Sequence, residues 1–317
     1  MSRDFVALMH RLGPEFAARA ALCDTEDLFV AENYVALKKH GVLSAGLPSE
    51  LGGGGADHRE LGEMLRVLAR YCGSTALALS MHTHQVATAV WRWRRDPLPL
   101  EPLLRSVASN NLVLVSSGGS DWIAGSGKAE RIEGGWRITA RKIFASGVPV
   151  GDVLVTSAVW DNPESGPTVL HFPLPLKGGG VKVLDTWRVL GMRGTGSHDI
   201  VIDGAFVPDA AIIVRRPQGK WHLLFHVISL LAIPLIYSVY LGIAEAAVTL
   251  LSNVPGVAAT GRIFLTSLER WTTSWRLRVS RIAICSTPPA TSIAFSTEWM
   301  AERARIARPV MTRPIAS

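Results

Sequence analysis

The chain has 317 residues, 48% of them hydrophobic, enough for two or three domains with real cores. Its three cysteines (Cys23, Cys72, Cys285) are scattered, with no CxxC pair or metal-ligand spacing, so disulfide and metal frameworks are excluded and free thiols in a reducing compartment are expected. The net charge of +7 is confined to the end: residues 1–250 carry 24 Lys and Arg against 23 Asp and Glu, whereas residues 251–317 carry 9 Arg against 3 Glu. A nucleic-acid face is therefore not expected over the first 250 residues.

The N-terminus, MSRDFVALMHRLGPEF, lacks the apolar core and cleavage site of a signal peptide, and a cytoplasmic protein is expected. The first hundred residues are helical in pattern. Apolar residues fall at helical spacing over 15–30 and 32–40, and Gly41 stops the second helix. The run Pro48-Ser49-Glu50-Leu51-Gly52-Gly53-Gly54-Gly55 is a loop. His58–Tyr71 and Ser74–Trp93 are two further helices, the second apolar nearly all round and so expected to be buried. Asp96-Pro97-Leu98-Pro99 closes the block.

From Leu112 the period changes to two. A hairpin turns at Gly134-Gly135, and strands are expected over 153–159, 168–172, 181–184 and 199–202. Two loops rich in glycine punctuate them: Ser116-Ser117-Gly118-Gly119-Ser120-Asp121 and Arg193-Gly194-Thr195-Gly196-Ser197-His198-Asp199. Between them, Arg141-Lys142-Ile143-Phe144-Ala145-Ser146-Gly147 ends a strand on an aromatic and a hydroxyl. Small residues let backbone N–H groups approach a ligand closely. Hydroxyls beside an aromatic suit a flat ring with polar edges, so the pattern points to a planar cofactor.

Residues 1–250 resemble the acyl-CoA dehydrogenase superfamily, through five matches in order: Glu32-Asn33, the stretch 37–54 with its GLPSELGGGG loop, the helix 68–79, the strand 142–147, and the turn 191–199 before Val207-Pro208. The resemblance implies an α+β fold, with a helical N-terminal domain (1–108), a small and mostly antiparallel β domain (109–212), and a helical C-terminal domain that begins with one helix (213–251). It implies a flavin oxidoreductase that carries FAD, with FMN as the alternative, and that removes hydrogens α,β to an acyl-CoA thioester. It further implies a small-molecule substrate, no nucleic-acid or membrane partner, and a homo-oligomer in the intact family. Carried over by position, Phe144 stands where a Trp lies against the flavin, and Ser146 where a Thr hydroxyl donates toward flavin N5. Ser117, Gly118, Gly119 and Ser120 match the loop at the flavin's polar edge and pyrophosphate.

The chain also departs from the dehydrogenase pattern. Leu114-Val115-Ser116 replaces the usual Thr-Glu-Pro, and Phe144 replaces Trp. The turn 193–199 resembles the flavin monooxygenase branch as much as the dehydrogenases. In that branch a pocket histidine serves the reduced flavin, and His82 and His84 are candidates against the plainer reading of buried histidines bonded to backbone. His198 is expected to be a turn residue. No catalytic residue is assigned.

No formal charge interrupts 221–243, long enough for a membrane span. The histidines, Pro234, the tyrosines and Glu245 favour instead a buried first helix of a C-terminal bundle. Beyond Leu251 the family resemblance stops. Residues 252–317 are basic, rich in Arg, Ser, Thr, Pro and Trp, and without amphipathic faces. One permitted choice of codons from Thr266 onward, read out of frame, spells a strongly helical and charge-balanced string. A frameshift between Leu250 and Leu265 is the expectation, with poor packing of the tail, an uncovered apolar face on the helix before it, and impaired activity; an inactive remnant is the alternative.

Overall fold

A computed structural model describes residues 4–252 of the chain, except 98, 118, 120 and 121. The tail expectations, frameshift included, lie outside the described residues.

The helical block opens with α1 (Phe5–Thr25), capped by the Asp4 carboxylate, which accepts the Ala7 N–H at 2.9 Å. The helix starts well before Glu15 and runs through Pro14. A proline keeps helical φ and costs the helix one hydrogen bond and a local clash. Phe5, Leu8, Met9, Leu12 and Phe16 offset that cost by driving one stripe into the core. Asp27, at φ 53°, turns the chain out of the helix before Val30. Next come α2 (Ala31–Lys39), α3 (His58–Tyr71) and α4 (Gly73–Trp93). A capping box starts α3, with Asp57 and Glu60 each accepting the other's backbone N–H at 2.8 Å.

A fifth helix, α5 (Glu101–Asn110), follows where the sequence suggested only a proline-rich stop. Its Pro102 sits in the first turn, where a missing N–H costs nothing.

Eight strands then build one sheet: β1 (Leu114–Ser116), β2 (Lys128–Ile132), β3 (Gly135–Ala145), β4 (Val153–Asn162), β5 (Gly166–Pro175), β6 (Val181–Val183), β7 (His198–Pro208) and β8 (Val214–Pro217). Their order is β6-β7-β3-β2-β4-β5-β8, with β1 on β4. The pairing is antiparallel except for β1 with β4 and a single β2–β4 bridge. Together with the helices this is the α+β fold expected. The strands alternate as a sheet with one buried face must: along β3, Trp136, Ile138, Ala140 and Lys142 point inward, while Arg137, Thr139 and Arg141 point out.

The last helix, α6 (Leu223–Ser252), packs on α3 and α4. Contact is closest at Gly242, where an added Cβ would stand 2.0 Å from the Arg66 carbonyl oxygen. Beside it Arg66 pairs with Glu245 at 3.5 Å. The helix is long and apolar enough to cross a membrane, yet one side of it is committed to this packing. The other side carries Leu230, Ile233, Tyr237 and Tyr240 in a stripe, each between 43% and 53% exposed. Among the described residues the helix thus carries a half-exposed apolar stripe.

Candidate functional site

The site is set by a slip in the alternation of β3. Phe144 falls on the inward phase that runs from Trp136 to Lys142, but the register with β7 shifts between Lys142 and Ala145. Ala145 is buried instead, and Phe144 turns outward at 54% exposure, with its backbone at φ 59°. For a bulky side chain that left-handed conformation is a genuine outlier, and such strain persists where the surroundings fix it. Here Ser146 donates its N–H to the Phe144 carbonyl at 3.1 Å, and Gly147, at φ 77°, donates to the Thr195 carbonyl at 2.9 Å.

The Phe144 ring meets Trp187 edge-on, centroids 5.9 Å apart. Trp187 is itself held: its indole N–H donates to the Met192 carbonyl at 3.3 Å. The backbone N–H groups of Thr186 and Trp187 both donate to His198 Nδ1 at 3.1 Å. An Nδ1 that accepts twice carries no proton, so the His198 proton is on Nε2. Burial lowers the pKa of this ring, against the opposing pull of Asp185. His198 is thus the anchor of the Trp187 loop.

Ser146 heads a chain of hydroxyls. Its Oγ lies 2.8 Å from Ser197 Oγ, which lies 2.8 Å from Thr195 Oγ1, which donates to the Met192 carbonyl at 2.9 Å. Close by, the buried Tyr34 hydroxyl has no hydrogen-bond partner among the described residues, and a Cβ on Gly147 would come 3.4 Å from it.

The structure therefore brings Phe144 and Ser146 together. Ser117, just after β1, is bonded through Oγ to Thr156 Oγ1 of β4 at 2.7 Å. Gly119 is exposed, with open space where a side chain would begin. Gly118 and Ser120 lie outside the described residues. β2 pairs with β3 only over 135–139 and with β4 only at Val159. By register, the far end of β3 and the β1–β4 edge thus flank a stretch of sheet that β2 does not cover.

Arg216, only 1% exposed, anchors the segment after the first glycine loop: Nη2 donates to the Trp122 carbonyl at 2.6 Å and Nη1 to the Ile123 carbonyl at 2.8 Å. Sequence reasoning missed Arg216, because a charged pair near a strand end reads as surface. It also missed Trp187, Ser197 and Thr195 as members of the site. The Thr195-Gly196-Ser197 spacing was the available signal.

His82 and His84 are both buried in α4. His82 donates from Nε2 to the Leu43 carbonyl at 2.8 Å and accepts the Leu114 N–H on Nδ1 at 3.0 Å. His84 Nδ1 lies 3.1 Å from the Ser80 carbonyl, and its Nε2 lies 2.8 Å from the Gln85 amide nitrogen. Burial holds both pKa values down to about 4. They are neutral rings engaged with their neighbours, as the plainer reading has it.

Fold and site together form one scaffold, a helical block against a β domain with a long helix beyond. Residues 7–96 match the family model of the acyl-CoA dehydrogenase N-terminal domain. The amino sugar nitrososynthase RubN8 of Streptomyces rubradiris is 32% identical over 76% of this chain and 58% of its own length. A pigment production hydroxylase of a Rhodococcus species is 31% identical over 63% of this chain and 49% of its own. The solved structure of KijD3 with FMN and a dTDP-amino-keto sugar superposes with a TM-score of 0.80, at 26% identity, over 96% of this chain and 78% of that one. Residues 7–96 thus carry the acyl-CoA dehydrogenase N-terminal domain, and the chain has homologues in the acyl-CoA dehydrogenase superfamily. It spans about half to three fifths of the length of the curated relatives it matches.

Proposed function

We propose that the chain is a flavin-dependent monooxygenase of the acyl-CoA dehydrogenase fold, which uses FMN and oxygen to oxidise a small molecule. The observation that carries this reading is the half-exposed Phe144 ring, forced outward at the end of β3 beside the Ser146 hydroxyl. A flavin needs a flat apolar wall and polar groups at its reactive edge, and these residues fit that need. Phe144 would lie against the ring and Ser146 would meet its edge. Ser117 and the glycine loop (Gly118, Gly119, Ser120) would meet its polar side and phosphate. When bound in reduced form, the flavin supplies the electrons for oxygen insertion.

The relatives support FMN over FAD, since KijD3 is described with FMN. The nitrososynthase and the hydroxylase likewise support oxygenation over α,β-dehydrogenation. Dehydrogenation needs a carboxylate base at the substrate's α-carbon. Glu245, on the helix nearest in the sequence to that role, is occupied by Arg66.

The test is an anaerobic titration of the purified chain with FMN, FAD and dithionite-reduced FMN. It is followed by oxygen uptake with a flavin reductase present, and by dye reduction with acyl-CoA thioesters. Binding of FMN with reductase-dependent oxygen uptake supports the proposal. Dye reduction by an acyl-CoA overturns it in favour of dehydrogenation. Failure to bind any flavin, set against binding by a version whose reading frame is restored after Leu250, identifies an inactive remnant.

A further inference from the structure

The loop from Asp185 to Met192 has no regular structure, and its tip stands in solvent, with Leu190 93% exposed. Its inner end is fastened to the start of β7. Thr186 Oγ1 accepts the Asp199 N–H at 2.9 Å, and His198 Nδ1 takes the backbone N–H groups of both Thr186 and Trp187 at 3.1 Å. A third group competes for the same nitrogen: Asp185 Oδ1 lies 3.7 Å from it. A neutral ring with a bare Nδ1 serves the two N–H groups. A protonated ring donates from both nitrogens. Its Nδ1–H then faces two other N–H groups and is satisfied only by the carboxylate. Asp185 is open to such an exchange. Its present partner, Arg188, sits 3.0 Å from Oδ1 in an exposed pair of the kind that water and salt weaken.

We propose that His198 is a proton-operated latch on this loop: neutral, it holds Trp187 against Phe144, and protonated, it turns to Asp185 and lets Trp187 go. The inference goes beyond the proposed activity, and the latch works whatever ligand the site takes. Charged groups surround the ring from each side. Asp185 and Arg188 lie on the loop itself, and Asp199 follows His198 on β7. Arg141 of β3 holds Asp199 at 2.7 Å. Asp27, beyond α1, pairs with Arg193 at 3.6 Å and also attracts Arg188. Burial lowers the pKa of the latched ring; Asp185 pulls the other way, Arg188 reinforces the fall and Asp199 opposes it. The released ring, paired with Asp185, takes its proton more readily than the latched one. Acid therefore drives the loop toward release, and alkali toward the latch. Once Trp187 leaves, Phe144 loses the ring that meets its edge.

The experiment labels the full chain with 5-fluorotryptophan and follows the fluorine resonances from pH 8 to pH 5. Circular dichroism confirms that the chain stays folded. Trp187→Phe identifies the resonance of Trp187 by its loss, which separates it from Trp221, itself bonded to His226. In the wild type this resonance is expected to shift in a single-proton transition centred below pH 6.5. His198→Gln keeps an acceptor that does not titrate and is expected to abolish the transition. Asp185→Asn removes the partner of the protonated ring and is expected to lower the midpoint. Arg188→Ala frees Asp185 and is expected to raise it. Each displacement is expected to be roughly 0.3 to 0.7 in pH, the worth of an exposed ion pair. Asp185 and Arg188 are exposed, so these two variants carry the test if His198→Gln does not fold. A flat Trp187 resonance in both the wild type and Arg188→Ala overturns the latch. So does a transition that survives in His198→Gln, or midpoints that Asp185→Asn and Arg188→Ala move in the same direction. The measurement uses no flavin, so its failure leaves the flavin reading standing.

Discussion

Phe144 is the residue at which local stability and the proposed site conflict. A side chain larger than Asn at φ 59° costs roughly 1–2 kcal/mol, and its half-exposed ring recovers part of that against Trp187. Replacement by Asn, which tolerates the left-handed region, is expected to change the free energy of unfolding by less than about 1 kcal/mol. The same change is expected to weaken flavin binding. Loss of a buried aromatic such as Phe172, by contrast, costs about 3–5 kcal/mol. Urea unfolding of Phe144→Asn beside Phe172→Ala checks the contrast, and a loss near 3 kcal/mol at Phe144 would show that its conformation is not strained.

At the scale of elements, α6 has one face packed on α3 and α4 and one half-exposed. Gly242→Ala drives a methyl into the Arg66 carbonyl. It is expected to destabilise by about 3 kcal/mol or to lift the helix from α3, read as a fall in melting temperature. Changing Leu230 and Ile233 together to Gln and Glu on the half-exposed stripe is expected to leave the melting temperature in place and to reduce aggregation. A matching fall in melting temperature would mean the stripe is covered in solution. The elements differ in how far they could be read from sequence. α3 was fully legible, because its capping box and apolar stripe agree. α5 and the start of α1 were not: Pro102 sits in a first turn where no N–H is needed, whereas the hydrogen bond that Pro14 costs is offset by the buried stripe from Phe5 to Phe16, a tertiary fact. The outward turn of Phe144 was invisible, since period two alone sends it into the core; only the register slip against β7, a long-range fact, turns it out. The Phe144–Ser146 pairing was legible by resemblance, but its partners Trp187 and Ser197 meet it only through tertiary contact.

For the whole molecule, the two buried histidines set the response to acid. In the unfolded chain each takes a proton near its ordinary pKa of 6.5; folded, each resists until about 4. The unfolded state therefore binds more protons between these values. The stability the pair contributes is complete above pH 6.5 and is lost as pH falls toward 4, by about 3 kcal/mol for each ring. Urea midpoints at pH 7.5 and pH 4.5 are expected to show this fall, and His82→Gln should remove part of it. An unchanged midpoint would mean that the rings are not buried as neutral groups.

The bond pattern of His82 also has a consequence for what the position can be. It joins three stretches far apart in the chain: the segment after α2, the middle of α4, and the entry to the first strand. The junction needs a donor on one edge of a rigid plane and an acceptor on another, at neutral charge. Among the natural side chains only imidazole has both in one ring. An amide has the two groups on a single carbon at the end of a flexible stem, and a hydroxyl places both functions on one atom. The seam between the helices and the sheet is thus keyed to one chemical group, and a variant chosen for size alone would leave either the Leu43 carbonyl or the Leu114 N–H without its partner.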